Sequence, residues 1–133
     1  MTKDEIKKTL TLQQYPDVKP PIFALISALQ ATRQFSRLYP MTISRNILKL
    51  LHVASEVKVL AVAGIGKPAP EEIWLRIQHM HTIPKCFKGA PLVGLVIPPV
   101  RRSQYHGLQP GMLITFKFSD IIDVMLTAHR AQN

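Results

Sequence analysis

The sequence predicts a single α+β domain in which N-terminal helices pack on a small mixed or antiparallel sheet, in the order ααα-β-α-β-β-α. Two observations lead to this prediction. Residues before 55 place apolar side chains at helical spacing, whereas later runs are short and rich in β-branched residues. A length of 133 residues with 47% hydrophobic content fits one domain with a substantial core. A possible internal boundary near residue 55 would separate a helical part, 1–55, from an α/β part, 56–133.

Three helices are predicted in the first part of the chain. Thr2 and Glu5 have capping-box spacing, which predicts a helix over residues 3–14. Pro20-Pro21 fits the first turn of a second helix that extends to about residue 38, because a proline there sacrifices no intrahelical hydrogen bond. A third helix is predicted from Thr42 or Ser44 to near residue 55.

The second part of the chain changes period. Val57–Ala63 is nearly continuous in β-branched and small apolar residues, which predicts a largely buried strand. Pro70-Glu71-Glu72 predicts the start of a fourth helix, with two acids in its positive first turn. Residues 92–97 and 112–118 are predicted strands, and Ser119 is predicted to cap a last helix.

Positive charge is concentrated in two stretches that contain no acidic residue. They lie between Asp17 and Glu56 and between Glu72 and Asp120, and together they carry eleven of the seventeen Lys and Arg residues. The formal net charge is +9. A field of this sign concentrates polyanions near the protein and raises their association rate, so an acidic partner is expected.

The clearest candidate binding segment is the region 85–106. Arg101 and Arg102 supply forked guanidinium groups that pair with phosphate, and Tyr105 can stack on an unpaired base. The candidate residues of this region are Lys85, Lys88, Arg101, Arg102, Gln104 and Tyr105. Two predicted helices add basic pairs at spacing four, and these are Arg33 with Arg37 and Arg45 with Lys49.

Residues 94–112 resemble, over about twenty residues of 133, the swapped-hairpin AbrB and MazE-type DNA-binding domains. Those domains carry a strand that ends in Ile-Pro, an arginine four residues later, and a Leu-x-Pro-Gly turn into the next strand. Here Ile97-Pro98, Arg102 and Pro110-Gly111 occupy these places. One extra residue separates the arginine from the turn, and the glycine before the strand is displaced. The resemblance implies DNA binding near Arg102.

No catalytic, metal or cofactor signature is evident in the sequence. Gly64-Ile65-Gly66-Lys67 lacks the glycine spacing of phosphate-binding loops and is followed by a proline. His79, His81 and Cys86 could serve a metal site or a small enzyme, but a structural zinc site needs a fourth ligand. Most of the eight carboxylates lie near predicted helix starts, which leaves few for acid–base catalysis.

These observations predict a non-enzymatic nucleic-acid-binding protein that contacts mainly phosphates, without a choice between DNA and RNA. The alternative is an adaptor, inhibitor or subunit that docks its basic surface on an acidic protein. An aromatic content of only 7% argues against a single-strand binder that relies on stacking. No run reaches the ~20 apolar residues of a membrane-spanning helix. A single cysteine fits a reducing compartment, so we expect a cytoplasmic protein, and a homodimer is compatible with the sequence.

Overall fold

The computed structural model describes residues 23–63 and 69–125. These residues form six strands: β1 (Phe23–Ile26), β2 (Glu56–Ala63), β3 (Glu71–His79), β4 (Leu92–Ile97), β5 (Leu113–Phe116) and β6 (Ile121–Met125). Four short helices accompany them: α1 (Ala28–Gln34), α2 (Arg45–Leu48), α3 (Ile83–Phe87) and α4 (Ser103–His106). A single 3-10 turn covers Phe118–Asp120.

The strands form one antiparallel sheet centred on β2. Strands β2, β3, β4 and β5 are neighbours in chain order. On its other side β2 pairs with two strands in succession. Residues 56–59 pair with β6, and residues 60–63 pair with β1.

The chain passes from one edge of the sheet to the other in very few residues. Strand β5 ends at Phe116, and β6 begins at Ile121 on the far side of β2. Five residue steps span at most about 18 Å, so the two edges must approach one another. The sheet is therefore strongly curled and forms a half-barrel.

The hydrophobic core lies inside this curl. Alternate residues of β3, namely Ile73, Leu75 and Ile77, are fully buried there. Gly94 of β4 leaves room for close packing, because a Cβ atom at this position would lie 2.9 Å from the Phe116 ring and 3.0 Å from Leu75 Cβ. Residues from α2, α3 and the 3-10 turn complete the core.

The predicted α+β fold with packed N-terminal helices is wrong, because the described chain is mainly antiparallel sheet. Residues 23–26 of the predicted second helix form β1, and α1 begins only after Ser27, whose hydroxyl accepts from the N–H of Gln30 at 3.1 Å. The predicted third helix is reduced to the four residues of α2. The predicted helix over 3–14 lies outside the described residues.

The predicted fourth helix is also wrong, since residues 71–79 form the longest strand. Ile73, Leu75 and Ile77 are buried, while Glu72, Arg76 and Gln78 are exposed. This alternation has the period of two that defines a half-buried strand. Ile73, Trp74 and Ile77 also fit the spacing of one helix face, so this stretch of sequence is compatible with either a helix or a strand. Because β3 pairs with β2 along one edge and with β4 along the other, it is a central strand of the sheet.

The predicted last helix is wrong as well. Only Phe118–Asp120 has helical character, and Ile121–Met125 pairs with β2. The predicted strands at 57–63, 92–97 and 112–118 are confirmed as β2, β4 and β5 within one or two residues at each end. Strand β4 overlaps the start of the segment 94–112 that resembles a swapped hairpin, and it pairs directly with β5, which follows that segment, inside the larger sheet. The assignment of all 133 residues to one domain stays a prediction.

Candidate functional site

A cleft of about 600 Å³ opens at one end of the half-barrel, and we call it the basic cleft. Its walls come from four places that are distant in sequence: the start of α1, residues 42–48, the end of α3, and residues 117–121 between β5 and β6. The volume is within the range of about 300–1,000 Å³ that is usual for ligand pockets. The curl of the sheet places β6 and its preceding turn beside α3 and so creates the cleft.

The floor of the basic cleft is apolar. Leu48, Cys86, Phe118 and Ile121 belong to the buried core and line the cleft from below. The ring of Phe87 meets that of Phe118 edge to face, with centroids 5.2 Å apart. Burial raises the pKa of the Cys86 thiol, which donates to the His81 carbonyl oxygen at 3.5 Å. Cys86 is therefore a packing residue here, since nucleophilic cysteines need a lowered pKa.

Among residues 23–63 and 69–125, three cationic side chains and no carboxylate line the cleft above this floor. Arg45 is the first residue of α2, Lys88 caps the end of α3, and Lys117 precedes the 3-10 turn. The guanidinium carbon of Arg45 lies 3.9 Å above the centroid of the Phe87 ring. This cation–π contact holds the Arg45 side chain at the cleft without neutralising its charge.

Acidic residues pair with cations on the outer face of the sheet. Glu56 pairs with Arg76 at 3.2 Å. The ammonium of Lys58 lies 3.4 Å from Glu72 and 3.8 Å from Asp123. These ion pairs offset charge on that face, whereas the cations of the basic cleft face no lining carboxylate. Such segregation gives the cleft a positive field.

Glu71 ties the 98–106 connection to the sheet. Its Oε2 accepts from the backbone N–H of Arg101 at 2.6 Å, and its Oε1 accepts from the backbone N–H of Arg102 at 2.9 Å. Oε1 also accepts from Nε2 of His106 at 2.7 Å. The other ring nitrogen of His106, Nδ1, accepts from the backbone N–H of Leu108 at 3.0 Å, so it carries no proton. His106 is thus the neutral Nε2–H tautomer, and its contact with Glu71 is a charge-assisted hydrogen bond.

The two arginines of this connection have different surroundings. Arg102 is half-buried, and its Nη1 donates to the carbonyl oxygens of Ala69 at 2.7 Å and Pro70 at 3.4 Å. Arg101 is exposed. Both line a separate depression of about 490 Å³ that also contains Glu71 and Glu72. Two carboxylates make this depression a weaker anion site than the basic cleft.

We therefore expect unequal effects from Arg102→Ala and Arg101→Ala on stability. Loss of the Arg102 side chain removes donors from two carbonyl oxygens, which should cost about 1–2 kcal/mol of unfolding free energy. Arg101→Ala is the matched control and should change stability by less than about 0.5 kcal/mol, as is usual for surface positions. Urea unfolding of both variants measures the difference. Equal losses would contradict a structural role that is specific to Arg102.

The structure distributes the other predicted site residues over several surfaces. Arg45 and Lys88, predicted in different regions, meet in the basic cleft. Lys85 is exposed on α3, and Gln104 and Tyr105 are exposed on α4. Arg33 lies in the last turn of α1, but Arg37 follows the end of that helix, so the two do not share a helix face as predicted. Arg45 and Lys49, both exposed, bracket α2.

Two residues of the cleft were not among the sequence predictions. Phe87 lies between Lys85 and Lys88, and an aromatic residue between cations was an available signal for a stacking site. In the sequence, Lys117 is only one of the basic residues in the acid-free stretch between Glu72 and Asp120. Its place in the cleft depends on the turn that joins β5 to β6, which the sequence had predicted as the start of a helix.

The two histidines considered for a metal site, His79 and His81, lie at the end of β3 and just after it. His79 is the last residue of β3, and its ring centroid is 5.7 Å from that of His81. Across residues 23–63 and 69–125, no group of three or more His, Cys, Asp or Glu side chains could hold a metal ion. Within the same ranges, no helix has the length and apolar character needed to cross a membrane.

Comparisons with protein-family models, with curated proteins and with solved structures each found no match for this chain.

Proposed function

We propose that this chain is a non-enzymatic nucleic-acid-binding protein that holds phosphate groups at the basic cleft. The observation that carries the proposal is the set of cations there. Arg45, Lys88 and Lys117 line one concave site, and within the part of the chain that the structure describes no acidic residue lines it. Phosphate oxygens are the charged groups that such a site suits, since arginine forks and lysine ammonium groups are their usual partners in proteins.

Neighbouring exposed cations extend this surface. Lys85 is on the same short helix that leads to Lys88, and Lys49 follows α2, which begins with Arg45. Arg33, Arg37 and Arg101 are further exposed cations that increase the positive field around the cleft. Phosphate contacts position a protein without reading bases, so the proposal includes no sequence specificity.

The ion pairs and hydrogen bonds of the described carboxylates support a binding role instead of a catalytic one. Glu56, Glu72 and Asp123 form ion pairs on the sheet, Glu71 holds the 98–106 connection, and Asp120 accepts from the backbone N–H of Lys117 at 2.9 Å. Catalysis by paired carboxylates needs side chains that can reach a substrate, and these five carboxylates are engaged within the fold. We also propose a cytoplasmic location, on the basis of the single cysteine.

The test is the affinity for a random oligonucleotide as a function of salt concentration. Each phosphate contact releases counterions, so log affinity should fall with log salt by about 0.7–0.9 per contact. With three cations at the cleft and others around it, we expect a slope of about −2 or steeper. Fluorescence anisotropy of a labelled strand measures both quantities.

An acidic polypeptide such as polyglutamate serves as the competitor, because it matches charge without phosphate. We expect it to displace the oligonucleotide only at a large excess of negative charge, since carboxylates lack the geometry and charge of a phosphodiester chain. A slope near zero, or no binding at low salt, would overturn the proposal. Tight binding of polyglutamate alone would favour the alternative function, docking on an acidic protein.

A further inference from the structure

We infer that the basic cleft receives an unpaired nucleotide base, so that the preferred ligand is a single strand and not a duplex. This inference rests on the proposed function and makes it more specific. Its basis is that the cleft combines a cationic rim, formed by the exposed Arg45, Lys88 and Lys117, with an apolar, partly aromatic floor. A site that binds phosphates alone needs only the cations of the rim.

The depth and lining of the cleft exceed what a phosphate group needs. A volume of about 600 Å³ lined by the half-buried Phe87 and by Leu29, which is 54% exposed, offers apolar surface that a phosphate would leave uncovered. A nucleotide base is flat, largely apolar on its faces and polar at its edges. Burying one there removes apolar surface from water, which is favourable by about 25 cal/mol per Å².

The Arg45–Phe87 pair is suited to hold such a base. The guanidinium of Arg45 lies 3.9 Å over the Phe87 ring, and the Arg45 side chain is itself exposed. Guanidinium planes and aromatic rings are the two side-chain types on which unstacked bases are usually bound. The ring of Phe87 is fixed in turn by its edge-to-face contact with Phe118. The chain as a whole is poor in aromatic residues, but two of its five Phe residues meet at this cleft.

The cations at the rim are placed for the flanking backbone. Lys88 and Lys117 come from different elements, the end of α3 and the β5–β6 connection. A base inserted between them would bring its own phosphate groups to the rim. In a duplex the bases are stacked and paired inside, so only phosphates could reach the protein and the apolar floor would stay empty.

The experiment compares three ligands of equal length and charge per strand: a single strand, an abasic single strand, and the corresponding duplex. Stacking of one base contributes about 5- to 100-fold in affinity, so the single strand should bind more tightly than the abasic strand by this factor. The duplex should also bind more weakly than the single strand. Equal affinity for all three, with the salt slope retained, would overturn the inference and leave the proposed function intact. No binding to any of them would overturn the proposed function itself.

A pair of variants locates the base. Phe87→Leu keeps an apolar side chain but removes the ring, and it should reduce the preference for the single strand over the abasic strand. Trp74→Leu is the matched control, since Trp74 is a half-buried aromatic residue outside the cleft and also has a cation over its ring, Lys58 at 5.0 Å. It should leave the preference unchanged. Thermal unfolding of both variants shows whether they are folded, and the ligand comparison on the unmodified protein stands without them. Loss of the preference in Trp74→Leu and not in Phe87→Leu would contradict the assignment.

Discussion

Replacing Glu71 by Gln is expected to destabilise the protein by about 2–4 kcal/mol, because one carboxylate, only 10% exposed, serves three N–H donors. The donors are the N–H groups of Arg101 and Arg102 and Nε2 of His106, at 2.6, 2.9 and 2.7 Å. A Gln amide has no charge and one acceptor oxygen, and its NH₂ group would face a donor. If the oxygen takes the place of Oε1, the N–H of Arg101 loses its partner; if it takes the place of Oε2, the half-buried N–H of Arg102 and Nε2 of His106 both lose theirs. Urea unfolding at pH 7 measures the change.

Glu72→Gln is the control for this experiment. It makes the same change of charge at the adjacent residue, on the outer face of the sheet, where the Glu72 side chain is 45% exposed and pairs with Lys58 at 3.4 Å. Glu72 also accepts from the Tyr39 hydroxyl at 2.5 Å, and the Gln amide oxygen can keep this hydrogen bond. Exposed ion pairs contribute about 0–1 kcal/mol, so the loss should be small. Equal losses in the two variants would show that net charge, and not the hydrogen bonds of Glu71, accounts for the effect.

The pH dependence of stability gives a second measurement on Glu71. Burial alone would raise the pKa of this carboxyl, but the hydrogen bonds from His106, Arg101 and Arg102 outweigh burial and lower it. A carboxylate with a lowered folded pKa stabilises the protein above its unfolded pKa of about 4.3. This contribution is lost as pH falls through the folded value. The unfolding free energies of the unmodified protein and of Glu71→Gln should therefore differ most at pH 7, and the difference should decrease as the pH falls below about 4.3.

The parts of the fold that the sequence predicted are those with an unambiguous composition. Val57–Ala63 and Leu92–Ile97 are continuous in residues that favour strands, and both were predicted within a residue. Strand β3 was missed because Glu71 and Glu72 after a proline resemble a helix start. The electrostatic preference at a helix terminus is smaller than the energy of burying Ile73, Leu75 and Ile77 in the core. Local propensity was overridden by tertiary packing.

The candidate site was predicted only in part, and the reason is topological. Arg45 and Lys88 were predicted to bind ligand from their charge and their place in the sequence, but they were assigned to separate surfaces. Their proximity depends on the curl of the sheet, which brings the β5–β6 connection and Lys117 beside α3. No local pattern encodes a contact between residues more than forty positions apart. Conversely, Arg102 was predicted to bind ligand but donates to the backbone of Ala69 and Pro70.

The largest effect on binding is expected from neutralising the basic cleft. In the triple variant Arg45→Gln, Lys88→Gln, Lys117→Gln, the loss of three charge-assisted contacts of about 1–1.5 kcal/mol each would weaken oligonucleotide binding roughly 100- to 1,000-fold. The slope of log affinity against log salt should become shallower by about 2–3, because each lost contact releases about one counterion fewer. Anisotropy titrations at several salt concentrations measure both values.

A second triple variant, Arg33→Gln, Arg37→Gln, Lys49→Gln, makes the same change in net charge at exposed positions outside the cleft. If the cleft is the binding site, this variant loses only the attraction of three exposed charges outside the cleft, and its affinity should fall less than tenfold because salt screens exposed charges that do not contact the ligand. If both variants lose affinity equally, the protein attracts polyanions through its overall charge and the cleft is not the site. The comparison therefore distinguishes binding at the cleft from non-specific attraction of polyanions. A net charge of +9 produces such attraction whether or not the cleft is the site.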